Sequence, residues 1–227
     1  GIGIPMTYGL VDGDLDTAVY ERVEVIRGAA GLLDSTGNPS AQINFVRKRP
    51  TAGFAASAGL LMGSWNQKRA DADLSTPLNA AGSVSGRVVL AAEDKASYLD
   101  RYHLQKTVFH GIVEADLGDN TLLTAGHTQQ ANRPQGNNWG ALPLWDSEGN
   151  ATHYDRSVNT APGWAYWNAD LGQTFVELKH QLASGWLLQG AFTHKSVSSQ
   201  GRLFYIYGEP DAATGAGMQA WPSRYDL

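Results

Sequence analysis

Cysteine is absent from the 227 residues, which excludes a disulfide-stapled scaffold, a thiolate metal site and a thiol nucleophile. Charge is also scarce. Asp, Glu, Lys and Arg make up 17% of the chain, below the usual quarter, and the net charge is −5. No long block carries one sign, so the chain does not read as nucleic-acid-binding. The longest apolar runs, such as Val88–Ala92, fall far short of the roughly 20 residues a spanning helix needs. No charged-then-apolar secretory segment opens the chain. These absences exclude a helical membrane protein. They do not exclude a membrane-spanning sheet, whose strands show only every second residue to lipid.

Glycine is what the chain has in quantity: 26 of 227, about 11% against the usual 7% or so. Residues 1–50 are short segments rich in turn signals. Ala18–Arg27 alternates, with Val19, Glu21, Val23, Val25 and Arg27 on one side and Tyr20, Arg22, Glu24 and Ile26 on the other. Ala41–Lys48 reads as a second strand, closed by Arg49-Pro50. From Phe54 the texture changes to period-2 stretches of about ten residues. Seven strands are expected, at roughly 54–65, 67–76, 84–95, 105–117, 121–131, 171–183 and 186–197. In the fourth, Thr107, Phe109, Gly111, Val113 and Ala115 form an apolar or small face opposite Val108, His110, Ile112, Glu114 and Asp116.

The connections between these strands differ in kind. Those at 76–83, 117–120 and 183–185 are compact. The alternate ones grow to 95–104, then to about 40 residues between 131 and 170. Short turns at one end and long loops at the other describe an outer-membrane barrel. A structureless loop of that length also argues against a compact soluble domain. On periodicity alone a secreted β-sandwich or β-helix stays open.

Two ordered stretches carry a resemblance. Tyr20-Glu21-Arg22-Val23-Glu24-Val25-Ile26-Arg27-Gly28-Ala29-Ala30-Gly31-Leu32-Leu33 and Gly37-Asn38-Pro39-Ser40-Ala41-Gln42-Ile43-Asn44-Phe45-Val46-Arg47-Lys48-Arg49-Pro50 closely resemble the plug signature of TonB-dependent siderophore receptors. Gly63-Ser64-Trp65, Leu99-Asp100-Arg101-Tyr102 and Leu142-Pro143-Leu144-Trp145-Asp146 are family-like as well. Ser40-Ala41 stands where the family usually has paired glycines. The pattern is most similar to the ferric-pyoverdine and hydroxamate type. The resemblance implies a mostly β fold: residues 1–50 as the C-terminal part of a plug domain, and residues 51–227 as about seven antiparallel strands of a 22-stranded transmembrane β-barrel, with a long extracellular loop at 132–170. On this reading the chain is a stretch of a longer receptor, and the TonB box lies upstream of residue 1.

The same resemblance implies a function. The protein would be an outer-membrane receptor of a Gram-negative bacterium that binds a ferric siderophore and imports it with energy from TonB. Its partners would be the siderophore, TonB and outer-membrane lipid, with no nucleic acid. Iron would travel as the ferric siderophore, with no cofactor held by protein ligands and no catalytic residues.

Trp139, Trp145, Trp164 and Trp167, four of seven tryptophans, lie within 29 residues, with Tyr166 among them. Aromatics massed on a long loop suit stacking on a chromophore and apolar contact with siderophore arms. The resemblance places Trp139 and Trp167 at the ligand pocket, together with Tyr8 at the plug apex, and makes Trp164, Tyr166 and Trp145 neighbouring candidates. Trp65 and Trp186, at strand ends, suit an interfacial girdle. Arg22, Glu24 and Arg27 are the candidates for plug–barrel ion pairing, because charges on an enclosed plug need partners. Asp12, Asp14 and Asp16 hint at calcium, but Thr17 and Val23 occupy positions where an EF-hand loop needs Gly and Glu. The six histidines form no metal-binding motif, and no metal site is expected.

Two other classes are set against this reading, a secreted glycan-binding module and a non-transporting adhesin or phage-receptor barrel. The outward strand faces discriminate the first: charge at mid-strand there would rule out lipid contact.

Overall fold

The computed structural model describes residues 14–28 and 41–226. Tyr8 and Asp12 lie outside the described residues. Two sheets make up the fold, and no helix is found among the described residues. The small sheet pairs β1 (Tyr20–Arg27) with β2 (Ala41–Arg47), antiparallel, Arg27 opposite Ala41. The large sheet is an unbroken antiparallel meander. It comprises β3 (Ala55–Met62), β4 (Lys68–Pro77), β5 (Val84–Ala96), β6 (His103–Asp116), β7 (Thr121–Gln135), β8 (Tyr166–Gln181), β9 (Leu187–Tyr207) and β10 (Gln219–Asp226).

All seven expected strands are present, and the chain forms an eighth. β9 does not stop near residue 197. It runs on to Tyr207, turns through residues 208–218 and returns as β10. The run Phe204-Tyr205-Ile206-Tyr207 has high strand propensity and keeps the alternation going.

The alternation assigns each residue to a face. Arg69, Asp71, Asp73 and Ser75 of β4, Val89, Ala91 and Glu93 of β5, and Lys106, Val108, His110 and Ile112 of β6 turn toward the small sheet and are mostly covered. The opposite face is apolar and bare. Leu60 is 85% exposed and Phe192 65%, with Leu74, Leu90, Phe109, Val113, Val176 and Leu178 among the others. Across mid-sheet this outward face has no Asp, Glu, Lys or Arg. The cross-strand row Gly86, Val113, Ala125, Val176, Phe192 is typical. An exposed uncharged band of this extent on an antiparallel meander is a lipid-facing surface, and a water-facing secreted module would not carry it.

Three compact turns lie at one end, at 78–83, 117–120 and 182–186. Trp186, 73% exposed, marks the edge of the apolar band there. At the other end β3 and β4 are joined by a tight hairpin with Trp65 and Asn66 both left-handed (φ 54° and 56°), the backbone a two-residue hairpin turn requires. Pro134 sits where its strand can spare an N–H, because the β7–β8 ladder skips Arg133 and Pro134.

Candidate functional site

Two features share the inward face of the large sheet: a seam of ion pairs against the small sheet, and an aromatic cup near the long-loop end.

The seam comes first along the chain. Asp16 is buried, and its N–H donates to Gln130 Oε1 at 3.0 Å. Its two carboxylate oxygens take both terminal nitrogens of Arg69, at 2.7 and 3.0 Å, and Lys106 Nζ stands 3.0 Å away. Lys106 also reaches Glu93 at 3.1 Å and Asp14 at 3.2 Å. Burial pushes the Asp16 carboxyl up. The Arg69 hydrogen bonds, the Ala18 N–H and Lys106 more than reverse this, and hold it well below the usual carboxylate range. A polar cavity of about 390 Å³ opens beside this cluster, lined by Asp16, Lys48, Arg69, Asp73 and Glu93 among others.

A second cluster gathers around the exit of β2. Glu114, Thr124 and Glu177 lie side by side on β6, β7 and β8. Two carboxylates on a covered face need cations, and the plug-like segment supplies them. Arg49 bonds to both glutamates, Arg47 reaches Glu177 at 3.1 Å, and its guanidinium lies 3.9 Å over the Phe175 ring. Lys48 bonds Asp73 at 2.8 Å, beside the two-point pair of Asp73 with Arg87. Between the clusters, Val19 packs on Ala91 and Val108, a small apolar patch.

The sequence points to Arg22, Glu24 and Arg27 for contacts of this kind. In the structure Arg22 bonds Glu24 at 2.6 Å and Asn44 bonds Glu24 at 2.8 Å, all within the small sheet. Arg27 is exposed and makes no ion pair among the described residues. The physical reason is strand direction. The charges of mid-β1 project away from the eight strands present, whereas residues 14–20 and 47–51 run along them. Arg47-Lys48-Arg49 is legible as a basic triplet, but its partners lie up to 130 positions away and no local pattern exposes them.

The cup is built by alternation in β8, β9 and β10. Trp167, Tyr205, Tyr207, Trp221, Ser223 and Tyr225 all turn inward, and Trp139 folds over from the loop to form a bridge with Tyr205. Trp139 meets the rings of Tyr205 and Tyr225 edge-on, each at 5.4 Å. Trp167 stacks on Tyr225 at 6.4 Å and donates its Nε1–H to Ser199 Oγ at 2.7 Å. The cavity, about 560 Å³, is lined by Trp139, Tyr205, Tyr207, Trp221, Ser223 and Tyr225, with no charged side chain.

The loop is held in place by polar anchors. Arg101, itself left-handed (φ 64°), donates to the carbonyl of Ala161 at 2.9 Å and to that of Asn159, while Asn159 donates to the carbonyls of Asp100 and Gly136. Gly140 lies against Tyr205 at φ +89°, and a Cβ there would fall 2.4 Å from the ring. Only glycine lets the loop approach that closely.

The structure therefore brings together two of the expected aromatics, Trp139 and Trp167. Tyr166 precedes Trp167 in a strand, so it faces the other way, opposite Arg202. Trp164 packs edge-on against Phe204 at 5.8 Å on that same outward face. Trp145 sits in an exposed bridge with Ala151. Tyr205, Tyr207, Trp221 and Tyr225 are not among the aromatics expected from the sequence, although rings at 205 and 207 and at 221 and 225 are themselves a period-2 signal.

No family model matches the chain. Among curated proteins it is 39% identical over 213 residues to the "Ferripyoverdine receptor" of Pseudomonas aeruginosa, covering 91% of this chain and 26% of that protein. It is 35% identical over 225 residues to the "Ferric-pyoverdine BN7/BN8 receptor" of Pseudomonas putida, covering 98% of this chain and 27% of that protein. The chain thus spans about a quarter of the length of these relatives. Among solved structures, the pyoverdine outer membrane receptor FpvA of P. aeruginosa bound to pyoverdine superposes with a TM-score of 0.90 at 37% identity, covering 97% of this chain and 32% of that one. The ferric-catecholate import receptor Fiu of E. coli, at 16% identity and a TM-score of 0.80, shares the fold.

Proposed function

We propose that this chain, homologous to the ferripyoverdine receptors, is a stretch of a TonB-dependent siderophore receptor that sits in the outer membrane of a Gram-negative bacterium and imports a ferric siderophore of the pyoverdine class. In this reading residues 1–50 belong to the plug and residues 51–227 open the barrel. The role is transport, with iron as cargo rather than as a resident metal.

The observation that carries the reading is the division of the large sheet's faces. An uncharged apolar band looks out, and a charged seam and an aromatic cup look in. A ferric siderophore already satisfies its iron, so the receptor needs surfaces rather than ligands. The cup offers ring faces, tyrosine hydroxyls and the Ser223 hydroxyl, which suit a flat chromophore and its polar edges. Trp139 and Trp167 are the central contacts, and Tyr8, outside the described residues, is the candidate contact from the plug.

Release then requires the plug to shift against the wall. The ion pairs of Asp16, Arg47, Lys48 and Arg49 are the contacts that force delivered through TonB must rearrange.

The test is iron-limited growth on a panel of ferric siderophores, with Trp139→Ala and Trp167→Ala as probes. Uptake of a ferric pyoverdine that falls in both variants supports the reading. Undiminished affinity in both removes the cup as the binding site.

A further inference from the structure

The two cup tryptophans stand on either side of one buried joint. Trp139 lies three residues beyond Gly136, and Trp167 two residues beyond Ala165. The Gly136 N–H donates to the Ala165 carbonyl at 2.7 Å. The two approaches to the cup are thus tied together where the long loop leaves and rejoins the large sheet.

Asn159 locks this root from within the loop. It is buried, and its two amide hydrogens and its carbonyl oxygen are all engaged. Oδ1 accepts the Ala161 N–H at 2.8 Å, a local turn. Nδ2 donates to the Gly136 carbonyl at 2.8 Å and to the Asp100 carbonyl at 2.6 Å. The next residue, Thr160, donates its N–H and its hydroxyl to Asn138 Oδ1, at 3.2 and 3.1 Å, directly beside Trp139.

Arg101 closes the joint from the other side. It belongs to the β5–β6 connection, residues 97–102, which gives no side chain to the cup. Its guanidinium takes the carbonyls of Ala161 and Asn159. Gly136 packs so close that a Cβ there would fall 2.3 Å from the Arg101 carbonyl oxygen. The Asp100 N–H also donates to the Ser157 carbonyl at 2.8 Å. A left-handed arginine persists only where its surroundings over-determine it, and these contacts do so.

Two connections from different hairpins therefore share one set of hydrogen bonds, at the base of both tryptophans. Neither Asn159 nor Arg101 lines the cup. A ring already in place loses no freedom when a ligand arrives, and this strengthens binding.

We propose that Asn159 and Arg101 are positioning residues for ligand capture. Without touching the ligand they fix where Trp139 and Trp167 stand, and they make the β5–β6 connection part of the binding apparatus. The inference rests on the receptor reading above. With the joint broken, only a fraction of the cups is competent at any moment, and apparent affinity falls by that fraction. The loss lies in association, because the complex once formed keeps its contacts. Loss of a contact instead speeds dissociation.

The test uses the full-length receptor, purified from outer membranes in mild detergent, and ferric pyoverdine, with quenching of tryptophan fluorescence followed by stopped flow. Asn159→Asp sets a carboxylate against two carbonyl oxygens and should weaken affinity about tenfold, chiefly through slower association. Arg101→Lys keeps the charge but loses the fork, and should weaken it about threefold in the same way. In the Trp139→Ala receptor, whose anchor is already gone, Asn159→Asp should cost less than about threefold more. Undiminished affinity in Asn159→Asp, or the full tenfold loss in the Trp139→Ala background, overturns the assignment. So does a loss carried by faster dissociation, which would make Asn159 a contact. Heat-dependent electrophoretic mobility checks that the barrel of each variant is intact. If Asn159→Asp lowers its midpoint, Arg101→Lys decides by the same association criterion. An unaltered receptor that binds no ferric pyoverdine would remove the parent reading, whereas a receptor that binds it as well with either substitution as without would remove only the joint.

Discussion

Arg69 grips Asp16 at two points, its terminal nitrogens 2.7 and 3.0 Å from the two carboxylate oxygens. The pair joins a residue just before the small sheet to the fourth strand of the chain, and it is largely shielded from water.

Asp16→Asn keeps the shape and removes the charge, leaving Arg69 and Lys106 underpaired. Breaking a buried pair by deleting one partner costs about 3–5 kcal/mol. Faster hydrogen exchange at residues 16–20 is expected, with strands β4–β6 little changed. Protection equal to the parent at Val19 and Tyr20 would show that the pair does not hold this segment.

The same carboxyl sets an acid limit. Its folded value lies below its unfolded one, near 3.9, so its contribution is complete above the unfolded value and is lost as pH falls toward the folded one. Protection of residues 16–20 should hold from neutrality to about pH 4 and decline below that. In Asp16→Asn the acid decline should be shallower. An identical decline in both proteins would assign it to other carboxylates.

Trp139 touches two rings and covers the cup, the geometry of a binding anchor. Trp139→Ala should weaken binding of ferric pyoverdine by about 2 kcal/mol, roughly thirtyfold. Trp164→Ala, on the other face, should change it less than about twofold. Quenching of tryptophan fluorescence by the ferric complex gives both constants. A larger loss at Trp164 would place the ligand outside the cup.

Gly140→Ala should act like a cup mutation without touching an aromatic. The added Cβ meets the Tyr205 ring at 2.4 Å, and φ +89° is strained for any L side chain. Affinity should drop at least fivefold, by the ~1–3 kcal/mol such strain costs, while the unfolding midpoint of the barrel stays near that of the parent.

Val176 faces outward at mid-strand on β8, in a row with Val113 and Phe192. Val176→Arg should destabilise the membrane-inserted state by about 2–4 kcal/mol. Heat-modifiable mobility after refolding into lipid measures this. An unchanged midpoint would mean that the band does not meet acyl chains.

The strands are legible in the sequence because each has to keep one face apolar, and that constraint is written locally. Thr107, Phe109, Gly111, Val113 and Ala115 mark the outward face of β6 by alternation alone. Trp139 and Trp167 are legible as part of an aromatic cluster, but composition cannot separate Trp167 from Tyr166; only the pleat does. The pairing of Arg47 and Arg49 with Glu177 depends on how the small sheet lies along the wall, which neither segment encodes alone. β10 is missing from the expected strands because residues 208–218 interrupt the alternation, which resumes only beyond them.

The lysine and arginines at the exit of β2 also constrain how this sequence can diverge. Glu177 answers to Arg47, 130 positions earlier, and to Arg49, and Asp73 answers to Lys48. A charge reversal on the wall is tolerable only with a matching reversal in the plug. Descendants of this chain should therefore carry these positions as linked pairs, and a chimera joining one receptor's plug to another's barrel should work only where both parents agree at them.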